Sequence, residues 1–166
     1  MVNDLLTQIG FGGGCHWCTE AVFASLKGVD RVEQGWIASD GDAESFSEAV
    51  IVTFNEEQIP LKDLIHIHLL THSSSSAHQF RHKYRSAVYT FDTEQSSKAK
   101  RFLAELAEEN DKEYVTQVLP YRAFKLNKEK YQQYYLKHAD KPFCRTYIAP
   151  KIAILRQQYA QHLKAD

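Results

Sequence analysis

The sequence predicts an α+β fold: a single-domain mixed sheet with helices packed on it. Three observations carry this. Strand-like and helix-like segments are interspersed along the chain without a regular repeat, the order expected of such a sheet. No internal repeat and no long linker divides residues 1–166. The 166 residues, 43% hydrophobic and 25% charged, are enough for one sizeable core and have the balance of a soluble globular protein.

The elements follow in order. Leu5–Phe11 reads as a buried strand and Cys15–Lys27 as a helix carrying Ala21, Val22, Ala24 and Leu26. Val29–Ile37 reads as a second strand, and Ala38–Glu44 as a polar loop containing glycine. Ser45–Phe54 alternates at Phe46, Ala49, Ile51 and Thr53, the signature of a strand. Pro60 suits a first helical turn and opens a helix to about Leu70. Ser73–Ser76 is the one low-complexity patch and reads as a surface connection. Tyr84–Phe91 is strand-like, and Thr93–Asn110 is a long amphipathic helix with Ala99, Phe102, Leu103 and Leu106 on one side. Tyr114–Leu119 and Ala123–Leu126 read as short strands, Lys128–His138 and Pro150–Leu163 as helices.

Composition limits the function. The net charge of −1 gives no electrostatic basis for binding nucleic acid or an anionic membrane surface. No apolar run approaches the roughly 20 residues that span a bilayer, and no basic region followed by an apolar core marks an export signal. A cytoplasmic monomer is expected. Its three cysteines are too few for a disulfide scaffold, so in a reducing cytosol they read as catalytic, metal-binding or simply buried.

The most informative string is Gly12-Gly13-Gly14-Cys15-His16-Trp17-Cys18-Thr19-Glu20. It sets a cysteine between a strand and the first turn of a helix. Unpaired N–H groups and the positive end of the helix dipole favour an anion there. A thiol so placed loses its proton more easily, and the thiolate is the nucleophile. The glycines let a substrate approach the backbone. Glu20 reads as a first-turn carboxylate that helps the helix. Tyr131, Tyr134 and Tyr135, spaced i, i+3, i+4, read as an aromatic face packed in the core or along a site wall.

Gly14-Cys15-His16-Trp17-Cys18-Thr19-Glu20-Ala21-Val22-Phe23 resembles the signature of the peptide methionine sulfoxide reductases of class A. Three further blocks resemble the same family in the same order: Ser47-Glu48-Ala49-Val50, then Tyr84-Arg85-Ser86-Ala87-Val88-Tyr89, then Tyr131–Tyr135 through Pro142-Phe143-Cys144 to Pro150-Lys151. The resemblance implies a ferredoxin-like core and a peptide-methionine (S)-S-oxide reductase. In that chemistry the Cys15 thiolate attacks the sulfoxide sulfur and becomes a sulfenic acid. Glu48, protonated in a buried setting, donates to the departing oxygen, and Tyr84 hydrogen-bonds it. His16 and Trp17 line the pocket for the S-methyl group. A second thiol condenses with the sulfenic acid, and thioredoxin or another dithiol recycles the disulfide, with no bound cofactor. The resemblance favours Cys144 as that resolving thiol. Cys18, one helical turn from Cys15, is the alternative, and as a third possibility it is only a small buried hydrophobe. Free methionine sulfoxide and oxidised peptides or proteins are the implied substrates, and repair of oxidative damage the implied role.

The chain departs from the family at the pocket. His16 stands where the family has phenylalanine, Ala38–Glu44 lacks the family's oxygen-binding tyrosine, and Gln79 stands where an aspartate is expected. These changes predict a divergent member with an altered pocket, and Tyr131 or Tyr135 as substitutes for the lost hydroxyl. The alternatives are a thiol oxidoreductase of the same fold acting on another sulfur substrate, a thioredoxin-like exchanger using Cys15-His16-Trp17-Cys18, and a zinc module. The last would combine the cysteines with the pairs His68/His72 and His78/His82.

Overall fold

The computed structural model describes residues 6–72 and 85–164. Six strands form one sheet: β1 (Leu6–Gly12), β2 (Val29–Ala38), β3 (Ser47–Asn55), β4 (Ala87–Thr90), β5 (Gln117–Pro120) and β6 (Ala123–Leu126). Their order is β5-β4-β1-β3-β2-β6. β4 and β5 run parallel, and every other neighbouring pair is antiparallel. Helix α1 (His16–Ala24) joins β1 to β2, and α2 (Leu61–Leu70) lies between β3 and β4. The inner β4-β1-β3-β2 strands with these two helices are the ferredoxin-like core that the resemblance implies.

The strands alternate as their sequences dictate. Ile9 and Phe11 of β1 pair with Val52 and Val50 of β3, and all four are buried on the helix-bearing face. Against them pack Phe23 and Leu26 near α1, Leu64, Ile65 and Ile67 of α2, and Ala99 and Leu106 of α3 (Thr93–Asn110). Ile148, Ile152 and Leu155 close this core from the C-terminal segment. Each fully buried large side chain contributes roughly 1.5–3 kcal/mol, so the helix-bearing face supplies most of the apolar stabilisation. The opposite face holds a smaller cluster of Ile37, Ala49, Ile51, Ala87 and Tyr89. Gly10 has no side chain there because Ile37 Cδ1 and Tyr89 Cβ cross 2.9 Å from where its Cβ would stand.

Most expected elements are present with shifted ends. Cys15 caps α1 rather than opening it, and α1 stops at Ala24, before Gly28 with φ +89°. The strand expected at Tyr114–Leu119 is β5, which starts at Gln117. The α3 boundaries coincide with the sequence expectation. Its start is fixed by Asp92, whose side chain accepts from the Gln95 N–H at 2.7 Å, and its end by Asp111 with φ 51°. Ser73–Ser76 lies outside the described residues, as do Leu5, His78, Gln79, His82 and Tyr84, the first residue of the expected Tyr84–Phe91 strand, of which β4 covers Ala87–Thr90.

The C-terminal segment departs furthest from expectation. In place of one helix over Lys128–His138 there is a single 3-10 turn, Glu129–Tyr131, an extended Gln132, a left-handed Gln133 with φ 56°, and a short α4 (Tyr134–His138). In place of one helix from Pro150 to Leu163, a π-turn at Cys144–Ile148 leads directly into α5 (Ala149–Gln158), followed by a 3-10 turn at Ala160–His162. Long-range hydrogen bonds override helical periodicity here. Gln132 Nε2 donates to Gln34 O at 2.9 Å and to Asn127 O at 3.0 Å, and the Lys164 N–H donates to Ser25 O at 2.8 Å.

Candidate active site

Cys15 sits where β1 ends and α1 begins. Gly13, with φ +145°, makes the turn, and the His72 ring lies 2.5 Å from where a Cβ would stand, so no side chain fits. Beside Gly14 the space is open, with no atom within 4 Å of a Cβ position. Cys15 is half-buried, and its carbonyl accepts the first helical bonds, from the Cys18 and Thr19 N–H groups at 3.1 Å each.

The groups that lower the Cys15 pKa are, first, the Cys18 thiol and then the backbone N–H groups of Trp17 and Cys18. The Cys18 thiol is the strongest influence, and together the donors hold Cys15 below its ordinary pKa of 9.0 against burial and the negative field of Glu48. The cost falls on Cys18, a buried thiol pushed far above the ordinary range by donating to Cys15 and by burial. Charge at Lys151, on the first turn of α5, opposes that rise. Lys151 Nζ donates to the Thr71 carbonyl at the end of α2, and burial lowers its own pKa. Cys144 is fully buried in the π-turn, where burial raises its thiol, and its field registers at Cys18. All three cysteines are free thiols. Cys18, one turn along α1, is thus the thiol whose acidity is most strongly tied to that of Cys15, and the resemblance favours Cys144 as the resolving thiol.

Glu48 lies near the start of β3, opposite Trp36 of β2, and it projects to the same face as Val50 and Val52. That alternation aims it at the N-terminus of α1. The His16 N–H donates to Glu48 Oε1 at 3.2 Å, and His16 Nε2 lies 3.6 Å from the same oxygen. Both residues are buried, at 5% and 8% exposure. His16 Nδ1 lies 2.8 Å from the Gly35 carbonyl, which can only accept, so Nδ1 carries a proton. The Asn127 amide nitrogen lies 3.4 Å from His16 Nε2, and the Trp36 ring packs edge-on at 5.1 Å.

Trp17 forms an aromatic wall with the C-terminal segment. Tyr134 stacks on it with centroids 4.1 Å apart, Tyr131 at 5.6 Å, and Phe143 meets it edge-on at 5.5 Å. The expected aromatic face of Tyr131 and Tyr134 thus lines Trp17, although no continuous helix presents it.

Glu20 is the residue that sequence reasoning undervalued. It is 2% exposed, outside the first-turn capping role. Its Oε1 accepts from Gln34 Nε2 at 2.8 Å and from the Tyr134 N–H at 3.1 Å, and its Oε2 accepts from the Gln133 N–H at 2.8 Å. Glu20 thereby fixes the start of α4, and with it Tyr134, against Trp17. Gln34 Oε1 accepts from Asn127 at 2.9 Å, so one buried network runs from Glu48 through His16, Asn127 and Gln34 to Glu20. The available signal was an unpaired acid amid apolar neighbours, Ala21, Val22 and Phe23, which marks a buried position.

Tyr84 lies outside the described residues, but its neighbour is firmly held. The Arg85 N–H donates to Ser47 Oγ at 2.8 Å, and its guanidinium donates to Tyr89 Oη at 3.1 Å, Ile37 O at 3.1 Å and Ser45 O at 3.0 Å. His68 and His72, considered as metal ligands, face other groups: His68 Nε2 lies 2.8 Å from the Gly12 carbonyl and His72 Nε2 lies 2.9 Å from Ser86 Oγ. Among the described residues no group of three His, Cys, Asp or Glu side chains is arranged to hold a metal ion, and no helix is long and apolar enough to cross a membrane.

The family model described as peptide methionine sulfoxide reductase matches residues 7–163. A Deinococcus radiodurans protein named peptide methionine sulfoxide reductase MsrA is 34% identical, over 95% of this chain and 84% of its own length. Among solved structures, Mxr1 from Saccharomyces cerevisiae in reduced form superposes with a TM-score of 0.72 at 19% identity, covering 88% of this chain and 93% of the other. Mxr1 in complex with Trx2 superposes with a TM-score of 0.62 at 18% identity, covering 80% and 87%.

Proposed function

The chain belongs to the peptide methionine sulfoxide reductase family, and we propose that it reduces methionine S-sulfoxide, free or within peptides, through Cys15. The observation that carries this is Cys15 capping the N-terminus of α1, held below its ordinary pKa by the Cys18 thiol and two backbone N–H groups, with Glu48 accepting from the His16 N–H of the same turn. The donors favour a thiolate, and the buried acid stands where a departing oxygen needs a proton.

The steps balance. The Cys15 thiolate attacks the sulfoxide sulfur, the S–O bond passes to Cys15, and Glu48 supplies one proton. The products are methionine and the Cys15 sulfenic acid. Cys18 then attacks the Cys15 sulfur, water leaves, and a Cys15–Cys18 disulfide forms. The mutual influence of the two thiols on the same turn of α1 supports Cys18 as the first resolving group. Cys144, whose field reaches Cys18, is next in line to exchange with that disulfide. An external dithiol takes the oxidising equivalents. Thioredoxin fits that part, and the complex of Mxr1 with Trx2 is the precedent in the same fold. Tyr84 joins Glu48 at the sulfoxide oxygen in this scheme, and Trp17 receives the S-methyl group. We assign the protein to the cytoplasm as a monomer, a reducing setting that suits three free thiols.

The test is an NADPH-coupled thioredoxin assay on both sulfoxide epimers with wild type, Cys15→Ser, Cys18→Ser and Cys144→Ser. Turnover of the S epimer that requires Cys15 is expected. Absence of S-epimer turnover with thioredoxin or a small dithiol overturns the proposal. Loss of turnover in Cys144→Ser but not in Cys18→Ser overturns the order of the resolving thiols.

A further inference from the structure

The sheet carries a cation beside Glu48 that the sulfoxide chemistry leaves unused. Trp36 of β2 pairs with Glu48 of β3 on one side and with Lys125 of β6 on the other. Residues directly opposite each other on antiparallel strands share a face. Glu48, Trp36 and Lys125 therefore form one row on the face that bears α1. Lys125 lies on an edge strand and is exposed, yet its ammonium does not turn outward. Its Nζ stands 5.2 Å from the centre of the Phe46 ring, and Phe46 precedes Glu48 by two residues, on the far side of β2. The lysine stem thus reaches back across β2 towards β3. Among the described residues no carboxylate pairs with this ammonium. Phe46 is 42% exposed, and Trp36 is half-buried with its ring edge-on to His16 at 5.1 Å. The result is an open aromatic surface with Glu48 at one end and a cation at the other.

We propose that Lys125 is a specificity-determining residue that receives a carboxylate of the substrate, so that the enzyme favours a methionine sulfoxide with a carboxylate close to the sulfoxide group. The inference rests on the sulfoxide reduction proposed above. Two sources carry this chemistry: the α-carboxylate of free or chain-terminal methionine sulfoxide, and an acidic side chain nearby in a peptide. The distances match both. Two residues of extended chain, the separation of Phe46 from Glu48, span about 6–7 Å. The sulfur of methionine sulfoxide is four bonds from its carboxylate carbon, about 5 Å when extended. An acidic residue two positions away in an extended peptide lies on the same side, again at about 6–7 Å. A sulfoxide oxygen placed at Glu48 therefore leaves the carboxylate near the Phe46 ring, where the ammonium stands. The flexible lysine stem takes up the remaining difference.

The charge at the nucleophile gives the cation its importance. Cys15 is held towards its thiolate, which repels a second anion brought alongside. A carboxylated substrate enters against that field unless a cation faces it, whereas a neutral amide does not. Lys125 offsets the repulsion at the end of the row remote from the sulfur. Trp36 and Phe46 keep water from one side of the new ion pair and so reduce its screening.

The test compares substrates that differ only in that charge. One pair is N-acetyl-methionine S-sulfoxide and its N-methylamide. The other is a peptide with both termini blocked that carries Glu or Gln two residues from methionine S-sulfoxide. With a small dithiol as reductant, kcat/KM of wild type is expected to favour the charged member of at least one pair by about two- to fivefold, the size of a partly exposed ion pair. Lys125→Gln is expected to abolish the preference, Lys125→Glu to reverse it and Lys125→Arg to keep it. Each ratio comes from one preparation, so a poorly folded variant lowers both members alike. A preference in the acetyl pair alone supports the proposal with the α-carboxylate as its source, and one in the peptide pair alone supports it with the acidic neighbour. Equal values within both pairs in wild type, or a preference that survives in Lys125→Gln, overturn the role of Lys125 and leave the sulfoxide chemistry standing. Absence of turnover with every substrate overturns the sulfoxide assignment itself, and the role of Lys125 with it.

Discussion

Replacing Cys18 by alanine is expected to raise the pKa of Cys15 by roughly 1–2 units. The Cys18 thiol is the foremost of the groups that hold Cys15 below 9.0. A hydrogen bond to a charged acceptor contributes roughly 1.5–3 kcal/mol, and about 1.36 kcal/mol corresponds to one pKa unit. The Trp17 and Cys18 N–H groups stay in place, so part of the depression persists, while burial and the Glu48 field continue to push the other way. Alanine also leaves space that water can enter, which softens the burial penalty and favours the lower half of the range.

The assay is alkylation of Cys15 by iodoacetamide across pH, read by mass spectrometry in a Cys144→Ser background. A rate at one pH understates the change. Each unit of higher pKa costs about tenfold in thiolate but returns about threefold in intrinsic nucleophilicity, so the net loss is only about three- to fourfold. The midpoint of the profile is the quantity to compare. Cys18→Ser retains an O–H donor and is expected to fall between wild type and Cys18→Ala. A Cys18→Ala midpoint equal to or below that of wild type refutes the claim that the thiol–thiol contact activates Cys15.

Two further outcomes follow from the same geometry. Lys151→Met removes the cation whose field opposes the raised Cys18 pKa, and it is expected to slow Cys15–Cys18 disulfide formation by roughly three- to fourfold, the net effect of about one pKa unit; trapping the sulfenic acid with a dimedone probe measures its lifetime. Glu20→Ala leaves the Gln34, Gln133 and Tyr134 donors without their acceptor, with an expected loss of roughly 2–4 kcal/mol in urea unfolding. Glu20→Gln isolates the pH effect: burial raises the folded-state pKa of Glu20 above its ordinary 4.5, so its contribution is greatest below that value and declines as pH rises through the folded pKa. Wild-type stability relative to Glu20→Gln is therefore expected to fall as pH is raised from 4.5 towards neutrality, and a difference that grows over that interval contradicts the burial effect.

What could be read from sequence was what local chemistry decides. α3 was legible because its apolar side repeats at helical spacing, and the structure adds the Asp92 cap that fixes its start. The strand–turn–helix at Cys15 was legible because three glycines and a short apolar run leave few alternatives. The segment from Lys128 to Leu163 was not. Its breaks are set by partners about a hundred residues away, Gln34 for Gln132 and Glu20 for Gln133. No periodicity count contains that information. Cys18 was half legible: its spacing from Cys15 predicts a shared helical turn, but only the structure gives the strength with which the two thiols shift each other's acidity. His16 stood out as a departure from the family pattern, yet its surroundings, Gly35, Glu48 and Asn127, are brought to it by three separate segments.

The charges around Cys15 also impose an order on the chemistry. In the reduced protein Cys18 must stay protonated, because its S–H is the donor that sustains the Cys15 thiolate. The same contact forbids Cys18 from acting as a nucleophile too early. Once Cys15 has taken the sulfoxide oxygen it is no longer an anion, and the chief cause of the raised Cys18 pKa disappears. Burial still opposes ionisation, but the Lys151 field then acts on Cys18 without the competing negative charge. Attack by Cys18 is thus enabled by the first step itself. Were Cys144 to attack first, as the resemblance suggests, the influences that shift its acidity, burial and the opposing Lys141 charge, would not include Cys15. In the proposed scheme, the shared turn of α1 and this timing both support Cys18 as the thiol that closes the first disulfide, with Cys144 behind it.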